Sequence, residues 1–436
     1  MSQSLDAQAR ENGTKFLVYP QNKKLKGFEQ PEIIFINKPP GSIQAGPQDE
    51  KMYVVDAKDK SPYQFEGEGP PYQGPQFPAV QPNTEGHFDH ISPNDPAFSS
   101  TVMYATVRRV LDIWTDYFGH EIEWFFSKQF PKLKLLELIP RVKWDNAQSG
   151  TGFLEFGFGR NEDGSIDKSN PYCENFDVLA HEIGHTIKNS TIGSPENRDL
   201  ETREYGGHHE SFGDLVAIVS VMHFDSVINR ILNTTKGNLF SINELSRMGE
   251  LSQSREIRIA FNDRKMSDVQ GTHEVHILSE PFTGGAFDVL VEVFQIHLIN
   301  KGIITKNLGE RAYKTHDIKT PDNEKTDIQQ EFEQCYQGKE VEFKQALLDA
   351  RDYFGKLMAK AWSKTSCDNL SYGKVLNQII EADRELNEGK YKQTIIDCFD
   401  WRGISPEEDD SPIRLKTHIV DEFINLSNID KDGNDN

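Results

Sequence analysis

The chain changes rhythm near residue 95. Before it, short apolar runs alternate with turn-forming residues: "TKFLVYP" (14–20), "EIIFINKPP" (32–40) and "MYVVDA" (52–57) stand among stretches rich in Pro, Gly and polar residues. This pattern predicts short strands joined by long loops. The stretch "STVMYATVRRVLDIWTDYFGHEIEWFF" (100–126) instead carries Val102, Val107, Leu111, Trp114 and Phe118 at helical spacings, and predicts a helix. A strand region follows, "KLKLLELIPRVKWDNAQSGTGFLEFGFGR" (132–160). From Asp177 onward the pattern is mainly helical. "ESFGDLVAIVSVMHF" (210–224) is apolar nearly all round, which predicts a buried helix, and "GGAFDVLVEVFQIHLIN" (284–300) is similar. "VEFKQALLDARDYFGKLMAKAW" (341–362) places Phe343, Leu347, Phe354, Met358 and Ala361 on one stripe, and two more helical segments run from Tyr372 to about Phe399.

The fold class is therefore α+β, with a β-rich N-terminal part and a mainly α-helical C-terminal part. Four regions are expected: a Pro/Gly-rich β and loop region (1–95), an α/β part (96–175), a helical part (176–405) and an acidic tail (406–436). A length of 436 residues allows a sizeable core. The net charge of −21 argues against a nucleic-acid partner, because phosphate binding needs a basic face. No run of 18 apolar residues predicts a membrane span, and the first residues, "MSQSLDAQARENGTKF", lack the basic-then-apolar order of a secretory signal. Cys173, Cys335, Cys367 and Cys398 are scattered without CxxC spacing, so neither a disulfide framework nor a cysteine metal site is expected. Together these features point to the cytoplasm, or to export without a classical signal. The oligomeric state is not readable from the sequence.

Chemistry concentrates in "FDVLAHEIGHTIKNS" (176–190). On a helix, residues i and i+4 share a face, so His181 and His185 can offer two imidazoles to one metal ion. Glu182 then projects beside the ion, where a carboxylate can take a proton from water. A catalytic zinc needs a third protein ligand. The histidine-terminated extension of the motif is excluded, because Lys188 and Thr191 occupy its positions. Glu204 and Glu210 are the remaining candidates. Glu210 opens the buried helix and has Asp214 one turn on, suited to accept a hydrogen bond from a ligand imidazole. His208 and His209 are nearby competitors for the ion.

With these residues in place, the chain resembles the gluzincin metallopeptidases, thermolysin-like and fungalysin-like enzymes in particular, over roughly residues 100–405. "DVLAHEIGHTI" resembles the zinc helix and "HHESFGD" the helix of the third ligand, with a loop between them closer in length to fungalysin. The resemblance implies a thermolysin-like arrangement with the zinc site between the β-rich and helical parts. It implies a peptide or protein substrate cut by a zinc-activated water, with Glu182 as general base. "DNAQSGTGFLEFGFG" resembles the substrate-pairing edge strand, which would give Asn146 and Ala147 to the peptide backbone. "DRKMSD" resembles the segment with a substrate-binding arginine, here Arg264. "VHILSEPFTGG" resembles the segment with a catalytic histidine, here His276, oriented by Asp268 or Glu274.

Departures are also visible. The family's oxyanion-binding tyrosine falls near Glu196, so that donor is either missing or supplied by Tyr205. Asp177 matches a calcium-binding acid, whereas its partner position holds Val221, so calcium is implied on one side only. An aminopeptidase using Glu204, or a non-catalytic binding or toxin-like protein on the same fold, are the rival readings. Residues 1–95 are also long enough to cover a cleft, in which case their removal would raise activity.

Overall fold

The alternating runs fold as strands and the periodic ones as helices. In the computed structural model the described residues are 4–64, 69–161, 163–248, 258–316 and 320–407. Helix α1 (Leu5–Asn12) leads into strands β1 (Thr14–Val18), β2 (Glu32–Ile36) and β3 (Met52–Val54), followed by helices α2 (Phe98–Phe118) and α3 (Phe125–Gln129). Strands β4 (Leu136–Ile139), β5 (Ala147–Gly150), β6 (Phe153–Phe156), β7 (Phe158–Arg160) and β8 (Ile166–Pro171) complete the β-rich part. The helical part contains α4 (Phe176–Thr191), α5 (Arg203–Val221) and α6 (Asp225–Thr235), then the two-residue strands β9 (Arg247–Met248) and β10 (Arg258–Ile259). It ends with α7 (Val275–Asn300), α8 (Lys306–Tyr313), α9 (Asp322–Tyr336), α10 (Glu340–Trp362), α11 (Tyr372–Asn387) and α12 (Lys392–Asp400). Strands lie mainly in the N-terminal part and helices in the C-terminal part, as the α+β reading requires.

β1 and β2 pair antiparallel with Thr14 opposite Ile36. Their alternate residues Phe16, Val18, Ile34 and Ile36 are buried in one core with Val102, Val107 and Trp114 of α2. The first region is thus part of the core. The larger sheet has the order β3-β4-β6-β5, with β5 antiparallel to β6 and on the edge. Two carboxylates, Glu137 of β4 and Glu155 of β6, are fully buried and meet Tyr53, Lys60, Tyr63 and Tyr72. Glu137 accepts from the hydroxyls of Tyr53 (2.8 Å) and Tyr63 (2.7 Å) and from the Tyr72 N–H (2.8 Å). Glu155 accepts from Lys60 Nζ and the Tyr63 N–H, both at 2.7 Å. Burying a carboxylate is tolerable only when it is hydrogen-bonded or paired, and here the N-terminal chain supplies the donors.

Residues 1–406 form one compact unit that contains the first three expected regions, while the acidic tail lies almost wholly outside the described residues. α5 and α7 start earlier than their apolar patterns. Thr202 caps α5 by accepting the Tyr205 N–H at 3.0 Å, and Glu274 caps α7 by accepting the His276 and Ile277 N–H groups. By length and composition α7 matches a membrane span, yet 78% of its most apolar stretch is buried inside the fold. All four cysteines are free thiols.

Candidate active site

Asn175 starts the histidine helix. Its side chain accepts the N–H groups of Asp177 (3.1 Å) and Val178 (3.5 Å), satisfying donors that a helix start leaves open. One turn of α4 separates His181 from His185, whose rings lie 4.5 Å apart at 84°. One ligand-capable atom from each of His181, Glu182 and His185 lies within 4.8 Å of the others.

α5 crosses α4 at two glycines. A Cβ on Gly184 would lie 2.8 Å from the Gly213 Cα, and one on Gly213 would lie 2.7 Å from His181 Nδ1. Only bare backbone on both sides permits this approach, because the side chains at a crossing set the distance between helix axes. It brings Glu210 Oε2 to 3.4 Å from His181 Nε2, and Oε1 to 3.8 Å from His185 Nε2. Asp214 Oδ1, one turn on, sits 3.0 Å from His181 Nδ1. Burial opposes ionisation of Glu210, but hydrogen bonds with His181 and His276 and the nearby His185 outweigh it and hold the carboxyl far below its ordinary range. Two imidazoles and a carboxylate are the donor types that a zinc ion takes from three protein ligands.

His276 enters from the first turn of α7. Its Nε2 is 3.2 Å from Glu210 Oε2 and its Nδ1 is 2.5 Å from Glu274 Oε1. Glu274, rather than Asp268, is therefore the orienting acid. Asp268 accepts the Lys265 N–H at 2.9 Å within its own turn. Asn146 and Ala147 stand at the start of the edge strand, where the Asn146 side chain accepts the Ala147 N–H at 2.9 Å. Arg264 is half-exposed, with its Nε 3.0 Å from Glu280, and its carbonyl accepts from Arg402 at 3.1 Å.

The other candidate ligands are Glu204, His208 and His209. Glu204 accepts the Tyr372 N–H at the start of α11. His208 is fully buried against Phe282, and among the described residues neither of its nitrogens has a hydrogen-bond partner. The His209 ring stacks on His185 at 4.2 Å with the planes within 4°. Imidazole lone pairs lie in the ring plane, so these parallel rings cannot converge on one ion. Tyr205 does not supply the oxyanion donor: it is buried, and its hydroxyl donates to the Gly193 carbonyl at 3.2 Å. The sequence reading also passed over a column behind the site. Lys188 Nζ lies 3.5 Å from the Tyr205 ring centre, and Tyr205 and His209 follow toward His185. Its signal was present in two spacings, His185 to Lys188 on α4 and Tyr205 to His209 on α5.

Comparison with known proteins adds three findings. The fungalysin metallopeptidase (M36) family matches residues 164–407, more than half of the chain, including both site helices. "Extracellular metalloproteinase 2" of Trichophyton tonsurans is 23% identical over 271 residues, 59% of this chain and 36% of that protein. The protein of the same name from Arthroderma benhamiae is similar to the same extent, so the chain spans about a third of the length of these curated relatives. The precursor of protealysin, a metalloproteinase from Serratia proteamaculans, aligns with a TM-score of 0.35 and 15% identity, over 65% of this chain and 85% of that one. The relatives' names point to secretion and correct the cytoplasmic expectation.

Proposed function

Since this chain belongs to the fungalysin metallopeptidase family, we propose that it is a zinc-dependent endopeptidase in which His181, His185 and Glu210 hold the ion. The observation that carries this reading is the meeting of Glu210 with both histidine Nε2 atoms, at 3.4 and 3.8 Å. When bound, zinc supplies Lewis acidity that activates water and polarises a peptide carbonyl. Glu182 takes the proton of the attacking water on its carboxylate and passes it to the leaving amine. His276, held through Nδ1 by Glu274, donates from Nε2 to the developing oxyanion, a role worth about 2.7–4 kcal/mol for a comparable donor. Asp214 holds His181 in one tautomer and one ring orientation. Asn146 and Ala147 offer an open strand edge to an extended peptide backbone, and Arg264 is the candidate cation for the substrate.

Digestion of a denatured protein by wild type and Glu182→Gln tests the proposal. Loss of cleavage in the variant is expected, and equal activity in both would overturn the mechanism. The aminopeptidase reading is disfavoured by Glu204, which is committed to the Tyr372 N–H. Full zinc content with no cleavage of any peptide library would support the non-catalytic reading.

A further inference from the structure

Strand β5 leads away from the histidine helix into a second cavity of about 490 Å³. On its inner side β5 pairs with β6, with Gln148 opposite Glu155 and Gly150 opposite Phe153. Upstream, the Gly157 N–H donates to the Asn146 carbonyl at 2.9 Å. Hydrogen-bonded pairs alternate along an antiparallel ladder, so the backbone groups of Ala147 and Ser149 turn outward. Among the described residues no strand pairs with that edge.

The cavity at the far end has a built floor. A Cβ on Gly150 would lie 2.3 Å from the Phe153 ring. One on Gly152, whose φ is +81°, would lie 2.3 Å from Leu133 and 3.4 Å from Pro70. The bare hairpin thus leaves room for three apolar side chains to close on it. Tyr63 meets Phe153 edge-on at 4.8 Å and is itself fixed by Lys60 over its ring and by Glu137 at its hydroxyl. Phe130 completes the wall and is 47% exposed, an aromatic face open to the cavity.

We propose that this cavity is a distal subsite that receives an apolar side chain of an extended peptide lying along β5, several residues from the bond that is cut. The proposal rests on the peptidase reading above. Three observations select an extended peptide as the occupant. The outward carbonyl of Ala147 and the outward N–H and carbonyl of Ser149 match a peptide strand, while Asn146 holds the Ala147 N–H. The same strand edge continues from Ala147 into the cavity, about 13 Å for four residues. Tyr63, Phe130, Leu133 and Phe153 form an apolar and aromatic side of the cavity, which suits an apolar side chain, while Lys132 and Gln148 belong to its polar lining. Tyr63, Pro70, Phe130 and Leu133 lie before the family-matched residues 164–407, so this selectivity belongs to the chain's own N-terminal half.

Fluorescence anisotropy on zinc-loaded Glu182→Gln tests it, with long labelled peptides in which a single Leu is scanned along an otherwise Gly/Ser sequence. One distal position is expected at which Leu binds about tenfold more tightly than Gly. That advantage disappears in Phe130→Ala, and also in Thr151→Trp, which fills the cavity from its exposed rim. It returns in Phe130→Leu. The proposal is overturned if no distal position prefers Leu, or if the preference survives both variants. The readout is binding, so its failure is distinguishable from failure of the peptidase reading, which would appear as uncut peptide with the zinc-loaded wild type.

Discussion

The Glu204 carboxylate accepts the backbone N–H of Tyr372 at 2.5 Å. It closes the first turn of α11, while Glu210, on α5 with Glu204, faces His181 and His185. The two glutamates should therefore separate cleanly by zinc stoichiometry. Glu210→Ala is expected to lose most of the metal. Glu204→Ala should keep it and lose about 1–2 kcal/mol of stability with the cap. Retained zinc in the first and loss in the second would exchange their roles.

His276 and Glu274 act as a pair in this geometry, with Nδ1 held at 2.5 Å and Nε2 pointed at the site. His276→Ala is expected to lower kcat by about 10²–10³ with a smaller change in KM. Glu274→Ala should cost less, because the ring remains but its orientation is freed. A change confined to KM in the His276 variant would mean that the residue binds substrate and does not stabilise the transition state.

Lys188 is fully buried over the Tyr205 ring, and burial pushes its amine down to about 7. The unfolded chain binds the proton up to about pH 10, whereas the folded chain releases it above 7. Between those values the unfolded state holds more protons, so stability rises with pH by up to about 1.4 kcal/mol per unit. Below pH 7 the penalty is constant. Lys188→Met should raise the melting temperature at pH 7 and flatten the slope between pH 7 and 10. An unchanged slope would show that Lys188 is already solvated and charged in the folded protein.

Glu155 and Lys60 are an ion pair with side chains 0% and 4% exposed. Removing one partner of a buried pair costs about 3–5 kcal/mol. Chemical denaturation of Glu155→Ala should show a loss of that order. Deletion of residues 1–95 removes Lys60, Tyr63 and Tyr72 along with Phe16 and Ile36, and is expected to abolish soluble folding. A soluble, more active truncated protein would restore the idea of a simple cover over the cleft.

What was legible in the sequence follows physical locality. The spacings of His181 with His185, and of Glu210 with Asp214, fix which side chains share a helical face, so their grouping could be read without a structure. The starts of α5 and α7 could not. Gly207, Pro281 and Gly284 have low intrinsic helix propensity. In the fold the two glycines are contact points instead: a Cβ on Gly207 would strike the Tyr372 hydroxyl, and one on Gly284 would strike Arg402. The choice between Asp268 and Glu274 depended on a capping turn, and the column from Lys188 to His185 depended on two helices meeting. The polar run that forms β8, "IDKSNP", has no apolar alternation to announce a strand.

Under the proposed endopeptidase activity, the hydrogen bonds on Glu137 and Glu155 have a further consequence. Neighbouring copies of an endopeptidase are substrates for one another wherever backbone can be drawn out into an extended, accessible form. Proteolysis of a folded chain samples only its opened states, at a frequency set by the free energy of opening. Residues 55–64 and 69–72 are loop-rich, which would ordinarily make them the first place to be nicked. Opening them requires leaving two carboxylates and a lysine buried without partners, or exposing the sheet face that holds them. That requirement makes the layer resistant to self-digestion, and gives the buried acids a role in the lifetime of the molecule as well as in its fold.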